Sequence, residues 1–276
     1  MSRIRATFTT HQRQHYCITR RRTRKRGEKK SEYEYDVIRQ KLMTDDLKRF
    51  NIKTIFVDTY DQITSLLQNL EDRYRRRTIF ISGSAADYGE WGQSQTENFV
   101  TRLARDIIDK DLRITSGFGL GIGGAVVTGA VQQIYSTRHR SVDEQLVLRP
   151  FPIGIKNEQE RTSTFHRYRE ELISQSGIAI FIMGNKVVDG KIVSADGMRS
   201  EFDLAKERGL HMIPIGASGA MAKTIWDEVM EKFEHFYPNS NPEIKRLLHK
   251  IGEVTDSPED LIQPVLQLIN VLTIGV

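Results

Sequence analysis

At 276 residues with 38% apolar side chains, the chain is long enough to bury a substantial core, and its single cysteine, Cys17, excludes an internal disulfide framework and a cysteine-built zinc cluster. No apolar run reaches the length of a membrane span and the arginine-rich start lacks the apolar stretch of a secretion signal, so a cytoplasmic protein with no membrane partner is expected. The formal net charge of +5 is unevenly placed: residues 1–30 hold eleven Lys/Arg against one Glu, a balance of +10, which leaves −5 for the rest.

Residues 1–35 therefore read as a basic, loop-like, flexible segment, with Arg20–Arg26 too charged to bury and Gly27 interrupting any helix. Such a run can contact nucleic acid or simply remain solvated. Aromatics hardly interleave it beyond Tyr16, which favours solvation and argues against nucleic acid as a partner. In residues 36–76, Val37, Leu42, Leu47 and Phe50 suggest a helix, Ile52–Val57 a strand, and Ile63, Leu66, Leu67 and Leu70 one face of a second helix. One βα unit cannot close a core alone. This part reads as the last piece of a larger domain, a linker, or a lid on the next domain.

From residue 77 to 276 the alternation is regular. Strands are expected at 78–82, 112–115, 145–149, 178–183 and 211–215, with helical patterns between them, such as Phe99, Val100, Leu103, Ile107 and Ile108. Five strand–helix repeats imply right-handed crossovers and an α/β fold, a doubly wound and mainly parallel sheet whose ligands sit beyond the carboxyl ends of the strands. Two helical stretches, 223–237 and 257–271, close the chain. Ser257 is expected to cap the last one, and Pro264 to kink it.

Two strand ends carry turns rich in small residues. The first, Ser82-Gly83-Ser84-Ala85, and the second, Ser116-Gly117-Phe118-Gly119-Leu120-Gly121, each precede a helix. Small residues there let a ligand's anionic groups reach backbone N–H groups near a helix N-terminus. A tight strand-to-helix turn explains either one without a ligand, but two in successive units favour a nucleotide cleft.

A charged cluster completes the pattern. Arg169 lies on the helix before the fourth strand, Lys186 just after that strand, and Glu201 early in the next helix, so all three can converge at one cleft mouth. Arg169 and Lys186 can neutralise phosphates, and Glu201 can accept ribose hydroxyls or act as a base. Surface ion pairing with Arg167, Glu170, Glu171 or Arg199 is the competing account. Between Met183 and Asp196, Asp189-Gly190 flanked by Val-Val and Lys-Ile-Val signals a hairpin, either a flap over the cleft or a plain surface hairpin. No set of histidines and carboxylates has metal spacing.

Ile81–Ser84, Thr115–Gly121, Phe165–Arg169, Phe181–Lys186 and Gly197–Phe202 together resemble the SLOG superfamily, which includes the phosphoribohydrolases called LOG and the DNA-processing protein DprA. Within it, the match is to the sensor domains of ThsA-like effectors of Thoeris antiphage defence. The stretch from His15-Tyr16 to Leu66-Leu67 is similar to the C-terminal end of the sirtuin-like domain that precedes such sensors. The resemblance implies that Arg169, Lys186 and Glu201 bind a cyclic ADP-ribose isomer or related nucleotide, with no cofactor, in a homodimer or higher oligomer, and that binding controls a sirtuin-like NADase domain. A LOG-like resemblance implies instead that Arg169 and Glu201 serve hydrolysis of an N-glycosidic bond, yet the Pro-Gly-Gly-x-Gly-Thr loop of those enzymes is replaced here by Met183-Gly184-Asn185-Lys186 and the hairpin. A DprA-like one implies single-stranded DNA binding through the basic tail.

Overall fold

The computed structural model describes residues 15–137, 140–152, 154–238 and 240–274. The chain divides into two units, residues 1–71 and 72–276.

In the first unit, β1 (His15–Arg20), α1 (Lys30–Arg49), β2 (Ile52–Val57) and most of α2 (Asp61–Arg76) succeed one another. The helix–strand–helix reading of residues 37–70 holds. The loop expected over residues 15–35 does not: β1 pairs in parallel with β2, His15 opposite Ile52 and Arg20 opposite Val57, and α1 begins at Lys30. The arginine run is accommodated by local counter-charges. Arg22 Nε donates to Asp36 at 2.9 Å, its guanidinium also meets Glu28, and its backbone N–H donates to Gln40 Oε1 at 3.1 Å. Residues 1–14 of the expected basic tail lie outside the described residues. Among residues 15–71 only Val57 is buried, while Phe50, Leu42 and Ile38 stand exposed.

The second unit is built on β3 (Thr78–Ser84), α3 (Gly92–Asp109), β4 (Arg113–Ser116), α4 (Gly123–Ser136), α5 (Val142–Gln145), β5 (Leu146–Leu148), α6 (Glu158–Ile173), β6 (Ile178–Met183), β7 (Asn185–Val188), β8 (Lys191–Ser194), α7 (Asp196–Glu207) and β9 (His211–Pro214). Five strands form one parallel sheet in the order β5-β4-β3-β6-β9. The α/β, doubly wound expectation is therefore met. β6, Ile-Ala-Ile-Phe-Ile-Met, is buried at every residue, which is why it carries no polar alternation: a parallel strand covered by helices on both faces has no solvent side. Phe99, Leu103 and Ile107 of α3 and Phe202 of α7 join this core, with Phe202 meeting Phe181 edge-on at 5.7 Å between centroids.

After β3 the chain winds out through β4 and β5, then returns to lay β6 on the other side of β3. The crevice between the carboxyl ends of β3 and β6 is the switch point where doubly wound sheets usually hold ligands. The hairpin β7–β8 rises there, in antiparallel register with Lys186 opposite Val193, and Asp189 and Gly190 take φ values of 50° and 74° at its tip. This is the left-handed geometry a two-residue hairpin turn demands.

The C-terminal part departs from expectation. The stretch 223–237 is split into α8 (Ala220–Glu231) and α9 (Phe233–Phe236), and α10 (Pro242–Lys250) was not anticipated. Asn241 caps α10 through its side chain, and Trp226 Nε1 donates to Leu248 O at 2.7 Å to fasten it. Pro264 kinks nothing, because α11 starts only at Ile262 (Ile262–Ile274) and places it in the first turn, where the missing N–H costs little. Ser257 makes no side-chain cap; Thr255 Oγ1 accepts from its backbone N–H instead.

Candidate functional site

The two small-residue turns pack against each other. Ala85 N–H donates to Leu120 O at 2.8 Å, a Cβ on Gly119 would sit 1.9 Å from Gly83 O, and one on Gly121 would sit 2.2 Å from Ala85 O. Gly83 is likewise pressed on Ile122, and Gly117 on the Phe151 ring. The glycines are thus explained by close approach of protein to protein. Ser116 is also internally committed, its hydroxyl donating to Ile81 O at 3.1 Å, whereas Phe118, at a φ of 58°, is half exposed.

At the first turn the polar backbone is occupied by one side chain. Asn185 Oδ1 accepts from the N–H groups of Ala86 and Asp87 at 2.8 and 2.9 Å, its Nδ2 donates to Asp87 O at 2.7 Å, and Ser84 Oγ donates to Asn185 O at 3.1 Å. At the second turn the N–H groups of Gly119, Leu120 and Gly121 find no acceptor among the described residues.

The charged cluster does converge. Arg169 Nε lies 3.6 Å from Glu201 Oε1, both side chains are largely buried, and Ser82 Oγ donates to Glu201 Oε2 at 2.5 Å. Arg169 comes from α6 and Glu201 from the second turn of α7. Gly197, one turn earlier, leaves room for the guanidinium, whose Nη2 would be 3.0 Å from any Cβ there. Burial pushes the Glu201 carboxyl above the usual carboxylate range, with the Ser82 hydroxyl and the Arg169 charge opposing that shift. Lys186, at the base of the hairpin, is bonded to Asp196, and that contact, more than any other influence, holds the Asp196 carboxyl below its usual range.

Beside this cluster lies a cavity of about 740 Å³. Arg169, Lys186 and Asp196 line it, with Phe151, Phe165 and Gly197 beside them. Glu201 is not in the lining; it stands behind Arg169. Residues 83–85 and 116–121 are not in the lining either, and reach the cavity only through Gly117, which backs Phe151. The Arg169 guanidinium lies over the Phe151 ring at 5.0 Å and the Phe165 ring at 5.8 Å. Its Nε is buried, and its nearest acceptor among the described residues is Glu201 Oε1 at 3.6 Å, slightly longer than an ordinary hydrogen bond.

Sequence reasoning missed Phe151, Asp196 as the partner of Lys186, and Asn185 as the occupant of the first turn. Only Asn185 left a trace, as the residue standing where the LOG loop carries glycine. The cavity lining carries three cations, Arg161, Arg169 and Lys186, an aromatic wall and two carboxylates, Glu158 and Asp196, a lining suited to an anionic ligand with a planar ring. Among the described residues no group of His, Cys, Asp and Glu is arranged to hold a metal ion, and no helix is long and apolar enough to cross a membrane.

The family model described as the Sir2- and TIR-associating SLOG family matches residues 62–272. Among similar proteins are three NAD(+) hydrolases ThsA. That of Bacillus cereus (strain MSX-D12) is 37% identical over 99% of this chain and 56% of its own length. That of Acinetobacter baumannii (strain 532279) is 39% identical over 99% and 58%, and that of Cytobacillus dafuensis 38% over 100% and 57%. The chain thus spans little more than half the length of these relatives.

Proposed function

The chain belongs to the Sir2- and TIR-associating SLOG family, and from that premise we propose that residues 72–276 are a nucleotide sensor of Thoeris-type antiphage defence. The ligand is a cyclic ADP-ribose isomer or a close relative, held in the cavity between α6 and the hairpin base. It controls a sirtuin-like NADase domain within a homo-oligomer. The observation that carries the reading is the Arg169 guanidinium: a largely buried cation, oriented from behind by Glu201 at 3.6 Å, that lines a cavity of about 740 Å³ beside Lys186. Among the described residues Glu201 pairs with Nε alone, which leaves the guanidinium's other donors free for a ligand in the cavity. A bidentate phosphate takes them up with matching geometry, Lys186 neutralises a second one, and Phe151 and Phe165 offer faces to the base.

The assignment of NAD(+) hydrolase control rests on the relatives' name and on their identity along essentially the whole chain. That residues 15–71 bury only Val57 supports reading them as one piece of a larger, sirtuin-like domain. The experiment is titration calorimetry of the chain with cyclic ADP-ribose isomers, beside mass spectrometry of any small molecule that co-purifies. Saturable binding supports the reading. Release of free base from a nucleoside monophosphate, abolished by Glu201→Gln, would replace it with a LOG-like hydrolase.

A further inference from the structure

Asn185 sits at the place where a doubly wound sheet most often receives an anion, the crevice between the carboxyl ends of β3 and β6. The backbone there is arranged for one. Two successive N–H groups, of Ala86 and Asp87, point to a single acceptor at 2.8 and 2.9 Å, the geometry of a small backbone nest. The acceptor is the carboxamide oxygen of Asn185, from 98 residues further along the chain. The amide nitrogen closes the ring by donating to Asp87 O at 2.7 Å, and Ser84 Oγ donates to the Asn185 carbonyl at 3.1 Å. The residue is buried, at 8% exposure.

Asn185 is also the first residue of β7. Lys186 comes directly after it, and at the other end of the hairpin Ala195 N–H donates to Gly184 O at 2.9 Å just before α7 and Asp196 begin. Besides the Gly184 N–H, which donates to Ser84 O at 2.9 Å, the polar ties between the β7 end and the β3 turn among the described residues pass through Asn185. The residue next to Lys186 thus anchors the hairpin base by its side chain without itself lining the cavity.

We propose that Asn185 is the positioning residue of the nucleotide site: its carboxamide fills the anion-receptive turn after β3, clamps the hairpin base there, and so delivers Lys186 to the cavity while denying the switch-point crevice to phosphate. The proposal rests on the nucleotide reading for the ligand, but not for the clamp. It explains why the ligand's anionic groups are received by side chains on the α6 side, away from the glycine turns.

The test compares wild type with Asn185→Ala by calorimetry with cyclic ADP-ribose isomers and by amide hydrogen exchange, with and without inorganic phosphate. Asn185→Ala should weaken nucleotide binding at least tenfold and speed exchange at Ala86, Asp87 and residues 185–194. Added phosphate should then slow exchange at Ala86 and Asp87 in the variant alone, a signature that a merely structural asparagine would not produce. If Asn185→Ala does not fold, Asn185→Ser, whose hydroxyl is too short to span both N–H groups, is read in the same way. Unchanged exchange at the hairpin, or phosphate protection absent from the variant, overturns the proposal. A wild-type chain that binds no nucleotide defeats the ligand reading, and the exchange comparison still decides the clamp.

Discussion

Arg169 Nε faces Glu201 Oε1 at 3.6 Å across the gap between α6 and α7, while Ser82, at the end of β3, holds the other oxygen of that carboxylate at 2.5 Å. Three elements thus fix one guanidinium. The carboxylate is too deep to meet a ligand first, so its service is to orient Arg169, and the burial that raises its pKa keeps water from competing for the same geometry.

Arg169→Ala should weaken nucleotide binding by about thirtyfold or more, the ~2 kcal/mol expected of a desolvated cation in a charge-assisted contact. Arg169→Lys should recover little, because a point charge cannot reproduce the planar fork. Glu201→Gln should cost less, about three- to tenfold, since the amide still bonds Ser82 but no longer orients the cation by charge. Calorimetry on the three variants checks the order. Glu201→Gln proving the most damaging would mean that the carboxylate itself meets the ligand.

Asp196 competes with the ligand for Lys186. Asp196→Asn should tighten binding up to about fivefold by freeing the ammonium, as for a partly exposed ion pair worth at most ~1 kcal/mol. Lys186→Ala should loosen it about tenfold. Both effects shrink at high salt. Titrations at two ionic strengths decide this, and Asp196→Asn binding more weakly than wild type would give Asp196 a direct ligand contact.

Gly119→Ala and Gly121→Ala should each destabilise the chain by about 3 kcal/mol or more, since the new methyl groups would overlap Gly83 O and Ala85 O. Gly124→Ala is the control. Nothing lies within 4 Å of its Cβ, and at a helical position alanine should gain up to about 1 kcal/mol. Thermal melts of the three proteins separate loop packing from a general intolerance of the segment.

His211, the first residue of β9, stacks on Tyr237 and is driven down to about 4 by burial, with the Arg76 charge adding to the shift. Its folded pKa lies below the unfolded value of 6.5, so the unfolded chain takes up the proton first. The stability it contributes is complete above pH 6.5 and is lost as the pH falls toward 4, by roughly 3 kcal/mol in all. Urea unfolding between about pH 7 and 4 should show this slope, and His211→Asn should flatten it.

Some of this arrangement is local enough to be read from a single stretch. Asp189-Gly190 between Val-Val and Lys-Ile-Val specifies a hairpin because its tip needs left-handed backbone. β1 escaped notice for the opposite reason. The arginines that begin at its last residue, Arg20, are offset by groups elsewhere in the unit: Arg20 donates to Asp58 O, Arg21 pairs with the Asp58 carboxylate, and Arg22 pairs with Asp36 and Glu28. The split of residues 220–237 and the cap of α10 by Asn241 were obscured by an apolar pattern that runs on through the break at Lys232.

The order of the five sheet strands, their parallel pairing and the approach of Arg169 to both Glu201 and the Lys186 side of the cleft were determined by the sequence itself, because hydrophobic periodicity and crossover handedness act over neighbouring elements. What occupies each polar group there was decided only by tertiary structure. The glycine turns meet each other's carbonyls, Asn185 fills the first of them from 98 residues away, and Glu201 stands behind Arg169. Such pairings form between surfaces that approach only after the sheet has closed, and a linear pattern of side chains carries no record of that approach.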